Sequence, residues 1–176
     1  VFGRRAGINA AKYAADSSYL PLPDDPQDRA RQAIDIRRGR DAGEKVARIR
    51  KDLQETMMDN AAVFRTEETL TTQLGILAEL RERYKQVAVM DTGSQYNTEL
   101  IDAIELGFLL DNAHMLVEAA VNRKESRGAH SREDYKERDD DNWLKHTLVY
   151  QESENRVRID YKPVTLGKYE PKPRVY

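Results

Sequence analysis

Cysteine is absent from this chain of 176 residues, which rules out disulfides, thiolate nucleophiles and iron–sulfur or zinc–cysteine sites within it and fits an intracellular protein without demanding one. No apolar run approaches the roughly 18 to 20 residues that span a bilayer, and no charged-then-apolar leader opens the chain; any membrane association is expected to run through a partner. Charge of one sign is missing too. Lys and Arg number 29 against 31 Asp and Glu, a formal net charge of -2, so the 34% of residues that are charged are mixed rather than pooled. A basic footprint for nucleic acid is therefore lacking. There is no GxSxG, no GxxxxGK[ST] and no GxGxxG, hence no nucleophile elbow, phosphate loop or dinucleotide turn. The histidines His114, His130 and His146 form no HExxH or His–x3–His pair, and Asp139 to Asp141 lack the alternating ligands, central glycine and distant Glu of a calcium loop, so no metal is expected. His114, inside an apolar helical pattern, is expected to be a hydrogen-bonded, largely buried histidine.

What is present is helical periodicity. The length suits one domain with an appendage and is enough to bury a core. The opening "VFGRRAGINAAKYAA" starts inside an apolar pattern with no capping residue ahead of it, and is expected to be the remainder of a helix in a piece of a longer polypeptide. Gly3 and Gly7 each cost about 1 kcal/mol relative to Ala in an exposed helix, so their spacing suggests close approach to another backbone. Three prolines in "SSYLPLPDDPQD" mark a surface connection. Residues 28–38 are compatible with a short polar helix that has only Ala33, Ile34 and Ile36 to bury, and Gly39 and Gly43 bracket a break after it.

From Glu44 onward, Val46, Ile49, Leu53 and Met57 recur on one helical face. In "TEETLTTQLGILAELRERYKQVAVM" Thr66 can cap, Glu67 and Glu68 favour the positive helix end, and Leu70, Leu74, Leu77, Tyr84 and Val87 form a stripe. A third helix opens at Asn97 or Thr98, and its middle, "LGFLLDNAHMLVEAAV", is apolar on most sides, so it should be the most buried. Short connections, "AVFR" and "DTGSQY", make the three an antiparallel bundle. Beyond Trp143 the period changes to two: Val157, Ile159 and Tyr161 alternate with charged residues and "ESEN" supplies a turn, which indicates a β-hairpin that needs a neighbour. The end, "TLGKYEPKPRVY", reads as an extended tail. The chain thus divides into residues 1–40 (helix remnant, linker and short helix), 41–125 (bundle) and 126–176 (charged loop, hairpin and tail).

Between bundle and hairpin lies "ESRGAHSREDYKERDDDNW", residues 125–143, more than half of them charged. A solvated loop would need no special composition, because a surface ion pair contributes only about 0 to 1 kcal/mol. Here, however, Arg127, Arg132 and Arg138 are planar donors suited to two-point contact with carboxylates, and acids lie close by. Gly128 suits the turn after a helix ending near Lys124, and Trp143 is a large anchor with one N–H to satisfy. An ordered loop at a domain seam, paired with a neighbour outside the chain, fits this mix.

These residues, with "VFGRRAG", "IRKDLQETMMDNAAVFR", "YNTEL" and the terminal "KPRVY", give the chain a resemblance along essentially its whole length to the C-terminal part of the flavoprotein subunit of succinate dehydrogenase and its fumarate reductase relatives. The resemblance implies a mainly α fold, a spectrin-repeat-like antiparallel three-helix bundle with a C-terminal β-hairpin and extended tail, packed against a large flavin domain. In that family the intact enzyme passes a hydride from succinate to covalently attached FAD, and electrons continue through an iron–sulfur subunit to quinone. The residues that bond FAD and grip the dicarboxylate lie upstream in the family. No catalytic, cofactor-binding or metal residue is therefore implied here, and no FAD is expected on this chain alone. What carries over is a docking role for Arg127, Gly128, His130, Arg132, Asp134, Arg138 and Asp139, closed by Trp143. Lys136 stands where many relatives have proline, a departure that loosens the loop locally. Implied partners are the flavin domain of the same polypeptide, the iron–sulfur subunit and, only indirectly, a membrane anchor, on the cytoplasmic side of a bacterial plasma membrane. L-Aspartate oxidase shares an "ESRG-x-H" stretch but not the continuation, and a stand-alone helical interaction module is the reading from another class.

Overall fold

The computed structural model describes residues 2–38, 40 and 42–172; Val1, Gly39, Asp41, residues 173–176 and the side chains of Arg29, Ile36 and Arg37 lie outside the description. The Gly39 break, the burial of Ile36 and most of "KPRVY" fall among these. The chain divides into two compact units, Val1–Ala33 and Ile34–Tyr176. In the first, helix α1 (Phe2–Ala15) has no buried residue, and a Cβ added at Gly3 or Gly7 would meet nothing within 4 Å. The close approach expected at these glycines has no counterpart among the described residues. Helix α2 (Asp28–Arg38) follows the proline-rich connection, and Asp25 braces its start by accepting from the Gln27 amide at 3.1 Å and Arg31 at 3.2 Å.

The second unit is a bundle of α3 (Val46–Ala61), α4 (Glu67–Tyr84) and α5 (Thr98–Asn122), followed by a hairpin of β3 (Lys145–Ser153) and β4 (Arg156–Pro163). Two-residue strands β1 (Phe64–Arg65) and β2 (Ser131–Arg132) pair in parallel, and the single turn α6 (Asp140–Trp143) precedes the hairpin. The chain is thus mainly α, a three-helix bundle with a C-terminal hairpin, as the periodicity indicates. Thr66 caps α4, its hydroxyl accepting from the Thr69 amide at 3.1 Å while the Thr69 hydroxyl accepts from the Thr66 amide, also at 3.1 Å. Asn97 caps α5 by accepting from the Leu100 amide at 2.8 Å. Each cap satisfies an amide with no carbonyl a turn earlier, a contribution of about 1 kcal/mol.

Val46, Ile49 and Leu53 of α3, Leu70, Leu77 and Leu80 of α4, and Leu106, Leu110 and Val117 of α5 form the core; Met57, Leu74 and Tyr84 pack on its margin. Burying each such side chain contributes about 1.5–3 kcal/mol. Between α3 and α4, Gln73 is fully buried; it accepts from Asn60 at 3.0 Å and donates to Thr56 at 3.1 Å, so its amide is satisfied by α3. Gly107 on α5 leaves room for Tyr84, whose hydroxyl donates to the Ala103 carbonyl at 2.9 Å; a Cβ there would lie 2.5 Å from that hydroxyl oxygen.

One expectation is corrected. Val87 is not on the stripe of α4, which ends at Tyr84; i→i+3 bonds from Gln86 to Arg83 and from Val87 to Tyr84 wind it down. Val87 and Val89 are β-branched, favour extended backbone, and are buried in a segment where Val87 bridges Glu44 in parallel. Gly43 is needed at that bridge, because a Cβ would stand 2.2 Å from the Gln86 carbonyl oxygen. Helix α5 buries seven residues, yet it also exposes an apolar stripe of Ile101, Phe108, Leu109 and Leu116, with Phe108 61% exposed. Apolarity on most sides therefore does not mean cover on most sides. The hairpin's neighbour is α5: Gln151 donates to Asp111 at 3.0 Å, the Tyr161 hydroxyl donates to Asn122, and Trp143 meets Tyr161 edge-on at 6.0 Å. Among the described residues no helix is long and apolar enough to cross a membrane.

Candidate functional site

Residues 123–143 close the end of the bundle where α5 stops and α4 starts. The loop is placed by backbone: the Ser131 amide donates to the Val63 carbonyl at 3.2 Å and the Glu133 amide to the Arg65 carbonyl at 2.8 Å. This sets Arg132, fully buried, under the C-terminus of α5. Its Nη1 donates to the carbonyls of Ala120 at 3.0 Å and Val121 at 3.2 Å, which have no amide a turn later to bond. Its Nε and Nη2 grip both oxygens of Asp134 at 2.7 and 2.8 Å, and Nη2 also reaches Glu67 at 2.8 Å. Asp134 in turn accepts from the Glu67 amide at 2.8 Å, the first residue of α4. A cation thus sits at one helix's negative end and an anion at another's positive end. The Arg132 guanidinium, reinforced by that amide, holds the Asp134 carboxyl well below the usual carboxylate range.

Glu125, also fully buried, is the second centre. It accepts from Arg123, from Arg127 Nε at 2.8 Å and Nη2 at 3.0 Å, and from the Asp139 amide at 2.9 Å. Arg123, at the end of α5, also donates to the carbonyls of Trp143, at 3.0 Å, and of Lys145, and its guanidinium lies 5.3 Å from the Trp143 ring centre. Asp140 joins Arg127 and Arg138, each at 2.6 Å, which lower its carboxyl. Arg138 extends to the Lys172 carbonyl at 2.9 Å, and Asp139 caps α6 by accepting from the Asn142 amide at 2.9 Å.

Gly128 serves a tighter turn than a helix terminus. Arg127 and His130 exchange backbone hydrogen bonds of 2.9 and 3.1 Å across Gly128 and Ala129, and Gly128 takes φ +61°, which suits glycine. His130 then faces the Arg123 carbonyl with Nε2 and Arg65 Nη1 with Nδ1, both at 3.0 Å. A carbonyl only accepts and a guanidinium only donates, so the ring is neutral, protonated on Nε2. Burial, joined by the charges of Arg65, Arg132 and Arg123, outweighs the Arg123 carbonyl and lowers its pKa from 6.5. The unfolded chain therefore binds the extra proton more readily. Stability supplied by His130 is present above pH 6.5 and is lost as pH falls below it, and His114, lowered by burial, acts in the same sense. Urea midpoints of the purified chain should fall between pH 7.5 and 5.5, and His130→Gln should flatten that fall; an unchanged slope would refute the assignment.

All eight residues predicted for the seam lie in this segment, but the structure adds Arg65, Glu67, Arg123 and Glu125. Glu125 opens the charged stretch and Glu67 had a reading as a helix-end acid; neither burial nor partner was signalled. The carboxylates that answer Arg127, Arg132 and Arg138 come from the loop and α4, not from outside the chain. His114 is buried, with Nε2 3.5 Å from Glu118, while its Nδ1 has no partner, so the expected hydrogen bonding is incomplete. Among the described residues no group of three His, Asp or Glu is arranged to hold a metal. A cavity of about 350 Å³ opens beside Trp143, lined by Arg123, Arg127, Lys145 and His146, with both arginines already held by Glu125. Fixed partners of this kind order the backbone around them.

The succinate dehydrogenase flavoprotein subunit of Rickettsia felis is 40% identical over 167 residues, covering 94% of this chain and 28% of that protein. The fumarate reductase flavoprotein subunit of Mycobacterium tuberculosis is 39% identical over 183 residues, covering 100% of this chain and 31% of its own length. A chain of E. coli quinol fumarate reductase superposes with a TM-score of 0.89 at 38% identity, covering 99% of this chain and 31% of that one. The chain thus spans less than a third of the length of these relatives. Residues 50–176 match the family described as fumarate reductase flavoprotein C-term, and to that family the chain belongs.

Proposed function

We propose that this chain is the C-terminal domain of a flavoprotein that interconverts succinate and fumarate, and that its own role is structural and docking rather than chemical. In this reading FAD and the dicarboxylate are held by the rest of the polypeptide, electrons leave through an iron–sulfur subunit to quinone, and the whole is a peripheral subunit on the cytoplasmic side of the membrane. The observation that carries the reading is the closed ion cluster: Arg132 and Glu125, both fully buried, spend their hydrogen bonds on helix ends and loop backbone. The doubly wound dinucleotide fold places a glycine-rich turn between a parallel strand and a helix, and the described strands form two two-stranded sheets without that unit, which supports placing the flavin elsewhere on the polypeptide.

Purified alone, the chain should show no flavin absorbance and no succinate-dependent dye reduction, whereas the full-length protein shows both; either signal from the chain alone would overturn the reading. Arg127→Ala in the full-length protein should reduce flavin content or subunit assembly severalfold. In the isolated chain it should cost only about 1–2 kcal/mol, because Glu125 keeps Arg123 and the Asp139 amide. Unchanged flavin content and activity in that variant would refute the docking role.

A further inference from the structure

We infer that Arg65, flanked by the exposed side chains of Val63 and Phe64, is the docking point for a carboxylate presented by a separate protein subunit, an inference that rests on the domain reading above. The charge pattern at this end of the bundle singles it out. Arg123 has Glu125, Arg127 has Glu125 and Asp140, Arg132 has Asp134 and Glu67, and Arg138 has Asp140. Arg65 has no carboxylate among the described residues: its Nε donates to the Ala62 carbonyl, its Nη1 to His130 at 3.0 Å, and its Nη2 to nothing. Those two bonds fix the guanidinium plane in advance, so little side-chain freedom remains to be lost when a carboxylate arrives.

Burial and the charge of Arg132 both lower the pKa of Arg65, the sign of a cation that its surroundings do not compensate. A carboxylate from outside would supply the missing charge in the two-point geometry that arginine favours. Next to it in sequence, Phe64 on β1 is 70% exposed and Val63, just before the strand, is 48% exposed, while one edge of β1 is taken by β2. Arginine and aromatic side chains together are what interfaces between proteins concentrate. The composition also separates this surface from the stripe on α5. Ile101, Phe108, Leu109 and Leu116 suit permanent apolar cover, as in obligate interfaces, whereas a lone cation with two apolar neighbours suits a partner selected by charge.

The test uses the full-length flavoprotein co-expressed with its iron–sulfur subunit. R65E should weaken subunit association about tenfold at low ionic strength with flavin content unchanged, and R65K, which keeps the charge but not the two-point geometry, should weaken it by less than R65E. Association of the wild-type pair should weaken as salt is added. R65Q, which removes the charge but keeps an N–H for His130, carries the same expectation if R65E does not fold. Wild-type association in the R65E and R65Q variants would overturn the inference, as would loss of flavin in step with the subunit, which would place the carboxylate on the flavoprotein's own polypeptide. Absence of the iron–sulfur subunit from the wild-type preparation would sink the domain reading as well.

Discussion

Replacing Arg132 with alanine should cost the purified domain about 3–5 kcal/mol, the range for breaking a buried ion pair by removing one partner. The side chain is fully buried and serves two helices at once. Without it the Ala120 and Val121 carbonyls at the end of α5 lose their donor, Asp134 loses its cation, and Glu67 keeps only Lys124 at 3.9 Å, while both acids remain beside the start of α4. Arg132→Lys should recover only part of the loss, since one ammonium cannot face the carbonyls and both Asp134 oxygens together. The measurement is the urea midpoint at neutral pH, with the slope of the transition checked for constancy. A loss below about 1 kcal/mol would show that the clamp is ornamental to the fold. Stability against acid offers a second readout. The Asp134 carboxyl is depressed in the folded chain, so its contribution is present above the ordinary value of 3.8 and is lost as pH falls below it; without Arg132 this part of the acid sensitivity should shrink.

Glu125→Ala should be comparably severe, about 3–5 kcal/mol, because two guanidinium groups and the Asp139 amide converge on one buried carboxylate. Glu125→Gln separates charge from shape. It keeps one oxygen to accept but turns an N–H towards a donor, so it should lose about half as much, roughly 2 kcal/mol. Loss of protection should reach Trp143, since Arg123 is held by Glu125 and holds the Trp143 carbonyl. Tryptophan fluorescence would report it, and an emission spectrum identical to wild type in a folded Glu125→Ala variant would contradict the coupling.

Substantial parts of this architecture are encoded locally. The three- and four-residue recurrence of Val46, Ile49 and Leu53 puts them on one face whatever surrounds the helix, and Thr66 and Asn97 cap through amides three residues away. Alternation in β4 and the intervening turn place a hairpin in the same way, through backbone preferences acting over a few residues. The charged stretch was recognisable as an ordered loop because arginine, glycine and acids recur in it at close range.

Nothing local could reveal where the ion partners lie or which charges are buried. Arg132 meets Glu67 across 65 residues of chain, as Arg65 meets His130, and Arg123 becomes a centre because α5 delivers it beside Glu125 and Trp143. Val87 left its predicted helix because Glu44 offered it a bridge, and α5 kept an exposed stripe because the second unit covers only part of its circumference. Periodicity, caps and turns depend on energies set within a turn or two of backbone, so a linear string of residues suffices to settle them. Burial of a charge depends on which distant groups arrive to compensate it, and only the packed chain brings them together.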